Sequence, residues 1–175
     1  TTKPLRHHCN SAGIVRHHNL HYDMVGTGLG LYGADSSHML QNKLRQISTL
    51  KTSIAQVLNV PACDSIGYGH HTIAPQAMRI ATICIGYADG YPRSLGNGKA
   101  YVLIHGQQAE TVGSICMDMC MVDITDIPAA TEGDDVILFG PDLPVTLLAE
   151  WAGTITYEIM TSISQRVKRV YVNEG

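Results

Sequence analysis

Asn10-Ser11 and the glycines of MVGTGLGLYG, residues 24–33, are the residues whose types and spacing point most directly to chemistry. Glycine carries no Cβ, so a glycine-rich turn can aim several backbone N–H groups at one anion. A nearby serine hydroxyl adds a further donor, and the two together make a cup for a monophosphate. The tail, Gly28-Leu29-Gly30-Leu31-Tyr32-Gly33, also meets the G-x-G-x-x-G spacing of a dinucleotide fingerprint. That fingerprint needs a helix opening at its glycines and an acidic residue about 20 positions on for the ribose. Here the weak helix former ADSSHMLQNK follows, and no Asp or Glu lies between Asp35 and Asp64. No Gly-Lys-Ser/Thr follows, which excludes a P-loop. Two readings of the glycines stay open: a phosphate cup built from Asn10-Ser11 and Gly28-Leu29, or a turn that merely packs closely.

Other reactive side chains are less ordered. Nine histidines include the doublets His7-His8, His17-His18 and His70-His71. Neighbouring side chains point in different directions, so doublets are poor metal ligands and no metal is expected. The five cysteines (Cys9, Cys63, Cys84, Cys116, Cys120) are odd in number and never in C-x-x-C spacing. Reduced thiols and a cytoplasmic location are the expectation. A formal charge of −3 gives no basic footprint for nucleic acid. Arg166, Lys168 and Arg169 read as a solvated terminal segment. No apolar run approaches the roughly 20 residues of a membrane span, so no membrane partner is expected. The opening TTKPLRHHCN is polar and basic with no apolar segment behind it, unlike a signal peptide.

The elements that must position these residues fall into two unequal pieces within 175 residues. Residues 1–40 read as short βα material, with a brief helix over 12–18, too small to bury a core alone. Residues 41–175 read as a β domain. LRQISTLKTSIAQVLNV, MRIATICIGY, AYVLIHG, TVGSICMDMCMVDIT and DDVILFG are rich in Ile, Val, Thr and Leu. Turn signals (DG, GNG, HGQQ, EGDD) separate them, the pattern of an all-β barrel or sandwich. Residues 146–153 and 157–166 predict two helices, with Gly153 ending the first. KRVYV predicts a closing strand.

Read in order, NSAG (10–13), GLGLYG (28–33), GYGH (67–70), IGYADGYPR (85–93), ICMD (115–118), EGDDVILFG (132–140) and TYE followed by RVKRVY closely resemble the C-terminal half of the bacterial alanine racemases. The chain most resembles the racemase portion that some bacteria fuse behind a muramyl-peptide ligase. The resemblance implies a mainly β fold: the family's C-terminal β domain, preceded by the last strands of a βα (TIM) barrel. It implies a pyridoxal 5'-phosphate enzyme that interconverts L- and D-alanine for peptidoglycan, working as a head-to-tail homodimer. By the same resemblance, Ser11, the backbone of Gly28 and Leu29, and the Tyr157 hydroxyl bind the cofactor phosphate. Tyr68 of GYGH matches the catalytic tyrosine, one of two bases, which acts on the partner subunit's active site. A free tyrosine has a pKa near 10, so that role requires stabilisation of the phenolate by neighbouring charge or hydrogen bonds. Met117 matches a position whose backbone N–H meets the substrate carboxylate; Tyr87, Arg93 and Asp118 match residues lining the access corridor.

The chain also departs from the family. The cofactor-holding lysine has no counterpart in it, since Lys3, Lys43, Lys51, Lys99 and Lys168 sit in none of the matching contexts. The isolated chain is therefore expected to be inactive. Gly26 stands where the family has an arginine that contacts the pyridine nitrogen, and Ser114 where many relatives have an arginine beside the entrance. With glycine at 26, either a water or another residue takes the arginine's place, or the cofactor electronics differ and side reactions such as transamination rise. Two other readings compete: a non-catalytic β-domain interaction module, and a racemase for another small amino acid such as serine.

Overall fold

The structure, a computed structural model, describes residues 3–35, 37 and 39–172. Among the described residues eight strands and three α-helices follow one another: α1 (Ser11–Arg16), β1 (Leu50–Val60), β2 (Ser65–Ile66), β3 (Thr72–Ile73), β4 (Met78–Ile83), β5 (Tyr101–Ile104), β6 (Gln107–Val112), β7 (Cys120–Asp123), β8 (Asp135–Phe139), α2 (Val145–Ala152) and α3 (Thr156–Ser162). Six strands close into an antiparallel barrel in the order β1-β4-β7-β6-β5-β8, while β2 and β3 form a separate two-stranded arm. The fold is the expected mainly β one.

Closure depends on β1. Its first residues, 50–53, pair with β8 and its later ones, 54–60, with β4, with register shifts between Leu50 and Lys51 and between Ile54 and Gln56. Irregularities of this kind bend a strand so that it serves two neighbours in turn. Alternation then fills the interior: Ile54, Ala81, Ile83, Val102, Ile104, Ala109, Val122, Val136 and Leu138 are buried together. In a small barrel the inward residues are the core itself. α2 caps it with Val145, Leu148 and Ala149, one face at helical spacing, and α3 adds Ile159.

Several expectations shift. β6 lies where HGQQ predicts only a turn: His105 (φ 50°) and Gly106 (φ 75°) make the turn, and pairing resumes at Gln107 opposite Ile104. The run at residues 111–125 divides into the end of β6, a loop and β7. α2 ends at Gly153 as expected, in the left-handed conformation. α3 stops at Ser162 instead of Arg166, and KRVYV forms no strand. A closed barrel leaves no free edge for that segment to pair with.

Ahead of the barrel, His7 and Met24 form a parallel bridge with α1 between them. The expected helix over 12–18 is α1, displaced to Ser11–Arg16 and followed by a 3₁₀ turn at His18–Leu20. Leu29 and Ala34 belong to the same buried core as the barrel. The glycine segment thus enters the β domain's interior while its backbone stays near α1.

Candidate active site

The first cluster is a cup of backbone amides around one hydroxyl. Ser11 is the first residue of α1, which Asn10 caps by accepting the Gly13 N–H at 2.9 Å. Ser11 Oγ accepts the N–H of Gly28 at 3.0 Å and of Gly30 at 3.2 Å. Leu29, between them, opens a 3₁₀ turn (Leu29–Tyr32), and its N–H bonds no described residue. A hydroxyl that accepts two bonds has used its lone pairs, so what remains to offer is its proton. Tyr157, on the first turn of α3, closes the far side. An ideal Cβ placed on Gly28 would lie 3.8 Å from Tyr157 Cε1 and 3.9 Å from its hydroxyl oxygen. Ser11, Gly28, Leu29 and Tyr157, from three separate stretches of sequence, therefore lie close together. Their donor set is hydroxyls and amides with no carboxylate in it, which fits a phosphate monoester.

The second cluster is the arm. Ile66 at its root packs with Ala74 and Ile80 against Val60, Met78, Val112 and Met121, a small core beside the main one. Gly67 (φ 78°) and Gly69 (φ 83°) flank Tyr68, and His70 follows at φ 55°. Left-handed backbone on both sides of Tyr68 turns it outward, and glycine is the residue that adopts it without strain. Tyr68 is 84% exposed. Ser65 Oγ and His70 Nδ1, 2.5 Å apart, tie the two sides of the arm beneath it. Among the described residues none hydrogen-bonds the Tyr68 hydroxyl, and no bond joins Tyr68 to the cup.

The third cluster lies where three segments meet. The N–H groups of Tyr87 and Ala88 bond the carbonyls of Cys116 and Met117 at 3.1 and 3.0 Å. At Gly86 an ideal Cβ would come within 2.2 Å of the Cys116 carbonyl oxygen, so only glycine allows this approach. Met117 is half-exposed, and its N–H bonds no described residue. Arg93 opens a 3₁₀ turn (Arg93–Leu95), exposed and without an ion pair among the described residues. Arg166 bonds Asp89 through Nε at 2.7 Å and Asp118 through Nη2. The Asp89 bond, and then the Asp118 bond, hold its guanidinium protonated even more firmly than usual. Arg166 is thus exposed, as expected, but tied by two ion pairs. Arg169 likewise bonds the carbonyls of Ile163, Ser164 and Val167. Partners 77 and 48 positions away leave no local trace in the sequence. Gly30 was also missed as a cup residue, though GLGLYG contains it.

Behind this corner, Tyr91 and Cys120 are fully buried. Burial, and then the neighbouring Cys116, push the Cys120 thiol up to about 12. All five thiols are free, and among the described residues no three His, Cys, Asp or Glu side chains gather as metal ligands. No helix of the described residues is long and apolar enough to cross a membrane.

A closed antiparallel barrel, a cup of hydroxyls and backbone amides on its N-terminal side and a tyrosine on an outlying arm define a β domain of one particular type. The comparisons name the family. Residues 47–171 match the alanine racemase C-terminal domain. The alanine racemase of Desulfovibrio desulfuricans is 46% identical over 171 residues, 96% of this chain and 46% of that protein. That of Halothermothrix orenii is 42% identical, over 98% of this chain and 46% of that protein. Among solved structures, the biosynthetic alanine racemase of Pseudomonas aeruginosa superposes with a TM-score of 0.90 at 35% identity, over 97% of this chain and 48% of that one. The Bartonella henselae alanine racemase, which carries covalently bound pyridoxal phosphate, superposes at 0.91 and 33% identity, over 98% of this chain and 48% of that one. The chain belongs to the alanine racemase family, as its C-terminal domain. It spans about half the length of the curated relatives it matches.

Proposed function

We propose that this chain is the C-terminal half of a pyridoxal-phosphate-dependent alanine racemase, in which it supplies a phosphate cup to one active site and a proton-transfer tyrosine to another. Residues 1–40 are read as the last two βα units of the catalytic barrel, a reading supported by the parallel His7–Met24 bridge around α1. The substrate is alanine, interconverted for peptidoglycan. The assembly is a homodimer in which each β domain meets the partner's barrel, and the unpaired thiols are in keeping with a cytoplasmic setting.

The cup residues fit the cofactor. Ser11 Oγ would donate its remaining proton to a phosphate oxygen, the unspent Leu29 amide would bind the same group, the Gly28 N–H would join it by exchanging its bond to Ser11 Oγ for one to the phosphate, and the Tyr157 hydroxyl would close over it. When bound, the pyridoxal ring supplies the electron sink that acidifies the substrate Cα–H. Tyr68 exchanges that proton at its phenolic oxygen on one face of the substrate. Because none of the described residues hydrogen-bonds the Tyr68 hydroxyl, the group that stabilises its phenolate is assigned to the surface the arm meets. The Met117 N–H holds the substrate carboxylate, while Tyr87, Arg93 and Asp118 border the approach. Lacking the cofactor-holding lysine, the chain alone does not racemise alanine.

The exposure of Tyr68 on an arm unconnected to the cup is the observation that carries this reading: a base so placed serves an active site built by another subunit. The test is Tyr68→Phe in the enzyme that contains this chain. Solvent-deuterium incorporation into alanine should fall at least about a hundredfold in one direction, the scale of a lost general base, with cofactor retained. Mixed dimers that combine Tyr68→Phe subunits with cup-deficient Ser11→Ala, Gly28→Val subunits should recover part of the activity. Full activity in Tyr68→Phe would sink the assignment, and cofactor binding without exchange in the unmodified enzyme would favour the non-catalytic module.

A further inference from the structure

Beyond the residues already assigned, the third cluster carries a guanidinium bound to two carboxylates on different loops. From it we infer that Arg166 is a positioning residue for the turn that presents the Met117 amide. The inference rests on the reading of Met117 as the carboxylate donor.

The turn is held from two sides. On one, the carbonyls of Cys116 and Met117 accept from Tyr87 and Ala88, and the Cys116 N–H donates to the Met119 carbonyl at 2.9 Å. A trans peptide sets the N–H of one residue opposite the carbonyl of the residue before it. With the Cys116 carbonyl drawn onto Tyr87, the Met117 N–H is turned away from the 86–88 backbone. On the other side Arg166 grips Asp118, the residue next to that amide. Its Nε bonds Asp89, whose second oxygen accepts the Gly86 N–H at 2.9 Å.

The segment after α3 that carries Arg166 is itself anchored. The Ser164 N–H bonds the Asp89 carbonyl at 3.0 Å, and Ser162 Oγ bonds that of Gly90 at 3.2 Å. The Arg169 guanidinium bonds three carbonyls of residues 163–167. One side chain therefore joins the 86–90 loop, the 115–119 turn and the segment after α3. Arg166 also supplies the positive charge that offsets Asp89 and Asp118. Without it, two carboxylates would stand beside an amide that must receive a third. A planar guanidinium can bond both loops in a fixed geometry; lysine supplies the charge but not the fork.

Two measurements separate the latch from the function it serves. In this chain, amide exchange at Cys116 and Ala88 should quicken about tenfold or more in Arg166→Ala, in line with loss of two charge-assisted bonds, while barrel amides such as Val102 and Val122 hold their rates. Unchanged exchange at Cys116 and Ala88 overturns the latch whatever the enzyme does. In the enzyme containing this chain, Arg166→Ala should raise KM for alanine about tenfold with kcat within about threefold, the signature of lost ground-state binding. Arg166→Lys should recover part of that KM. Quickened exchange with an unchanged KM overturns the positioning role. If the unmodified enzyme does not turn over alanine, the racemase reading fails, and the exchange result still decides whether Arg166 holds the turn.

Discussion

His7 fills the space in which a side chain at position 26 would begin: an ideal Cβ on Gly26 would lie 2.8 Å from His7 Nε2 and 3.2 Å from Cε1. His7 bridges Met24 on the adjacent strand segment, and the Gly26 N–H bonds the Cys9 carbonyl at 2.8 Å. The ring tip that blocks position 26 is exposed and able to swing. Gly26→Arg should therefore fold, with a stability change within about 1 kcal/mol, and should shift the His7 ring resonances. In the enzyme, an arginine there should slow accumulation of pyridoxamine phosphate during turnover. Equal accumulation in both forms would discard the electronic role given to this position.

How far the sequence could be read depends on where each signal lies. YVLI and DVILF announce strands as short apolar runs between turn signals, and the barrel follows from them, while which of their residues face inward is set only by pairing. β6 hides because its inward residues are Ala109 and Thr111, among Gln107, Gln108 and Glu110 on the solvent side. KRVYV has strand-forming residues but no edge to join. The cup was legible as Ser11 plus glycines because each residue's chemistry is local. The Arg166 link was not, since its meaning comes only from two loops brought together by closure of the barrel.

Tyr91 is fully buried, and its hydroxyl has no hydrogen-bond partner among the described residues. Burial raises its pKa far above the ordinary value, with the neighbouring Cys120 adding to the shift. Tyr91→Phe keeps the ring and removes the orphaned hydroxyl, so it should stabilise the fold by about 1 kcal/mol, or roughly 2–4 °C in Tm for a chain of this size. A loss of stability on thermal unfolding would show that the hydroxyl has a partner.

The thiols should label in order of burial. Cys63 and Cys84 are exposed, Cys116 is half-buried, and Cys9 and Cys120 are buried. With a pKa pushed up to about 12, Cys120 holds little thiolate at neutral pH. A disulfide-exchange reagent at pH 8 should modify Cys63 and Cys84 quickly, Cys116 slowly, and Cys9 and Cys120 only after unfolding. Peptide mapping that finds Cys120 labelled early would contradict the packing behind residues 115–119.

The acid limb of stability should carry a contribution from Asp35, a carboxylate only 3% exposed. Burial pushes its carboxyl up, but bonds from the Ser37 hydroxyl and from the backbone N–H groups of Leu40, Ser37 and Met39 outweigh this and hold it below the ordinary aspartate value. The Ser37 bonds are 2.8 Å from both N and Oγ, and the Leu40 bond is 2.6 Å. A pKa lower in the folded than in the unfolded chain means the unfolded state binds protons first. The contribution is therefore complete above the unfolded value, near 3.8, and is lost as pH falls through the lower folded one. Asp35→Asn keeps one acceptor and cannot ionise. The stability gap between native chain and variant, from denaturant titrations, should be level above about pH 5 and shrink below the unfolded carboxyl value. Asp23, held low first by the Arg6 side chain, and Asp134, held low first by the Thr131 N–H, titrate alike in both proteins and cancel in the difference. A gap constant down to about pH 2 would mean that the Asp35 carboxyl titrates alike in folded and unfolded chains, and that its bonds to Ser37 and Leu40 do no more than offset its burial.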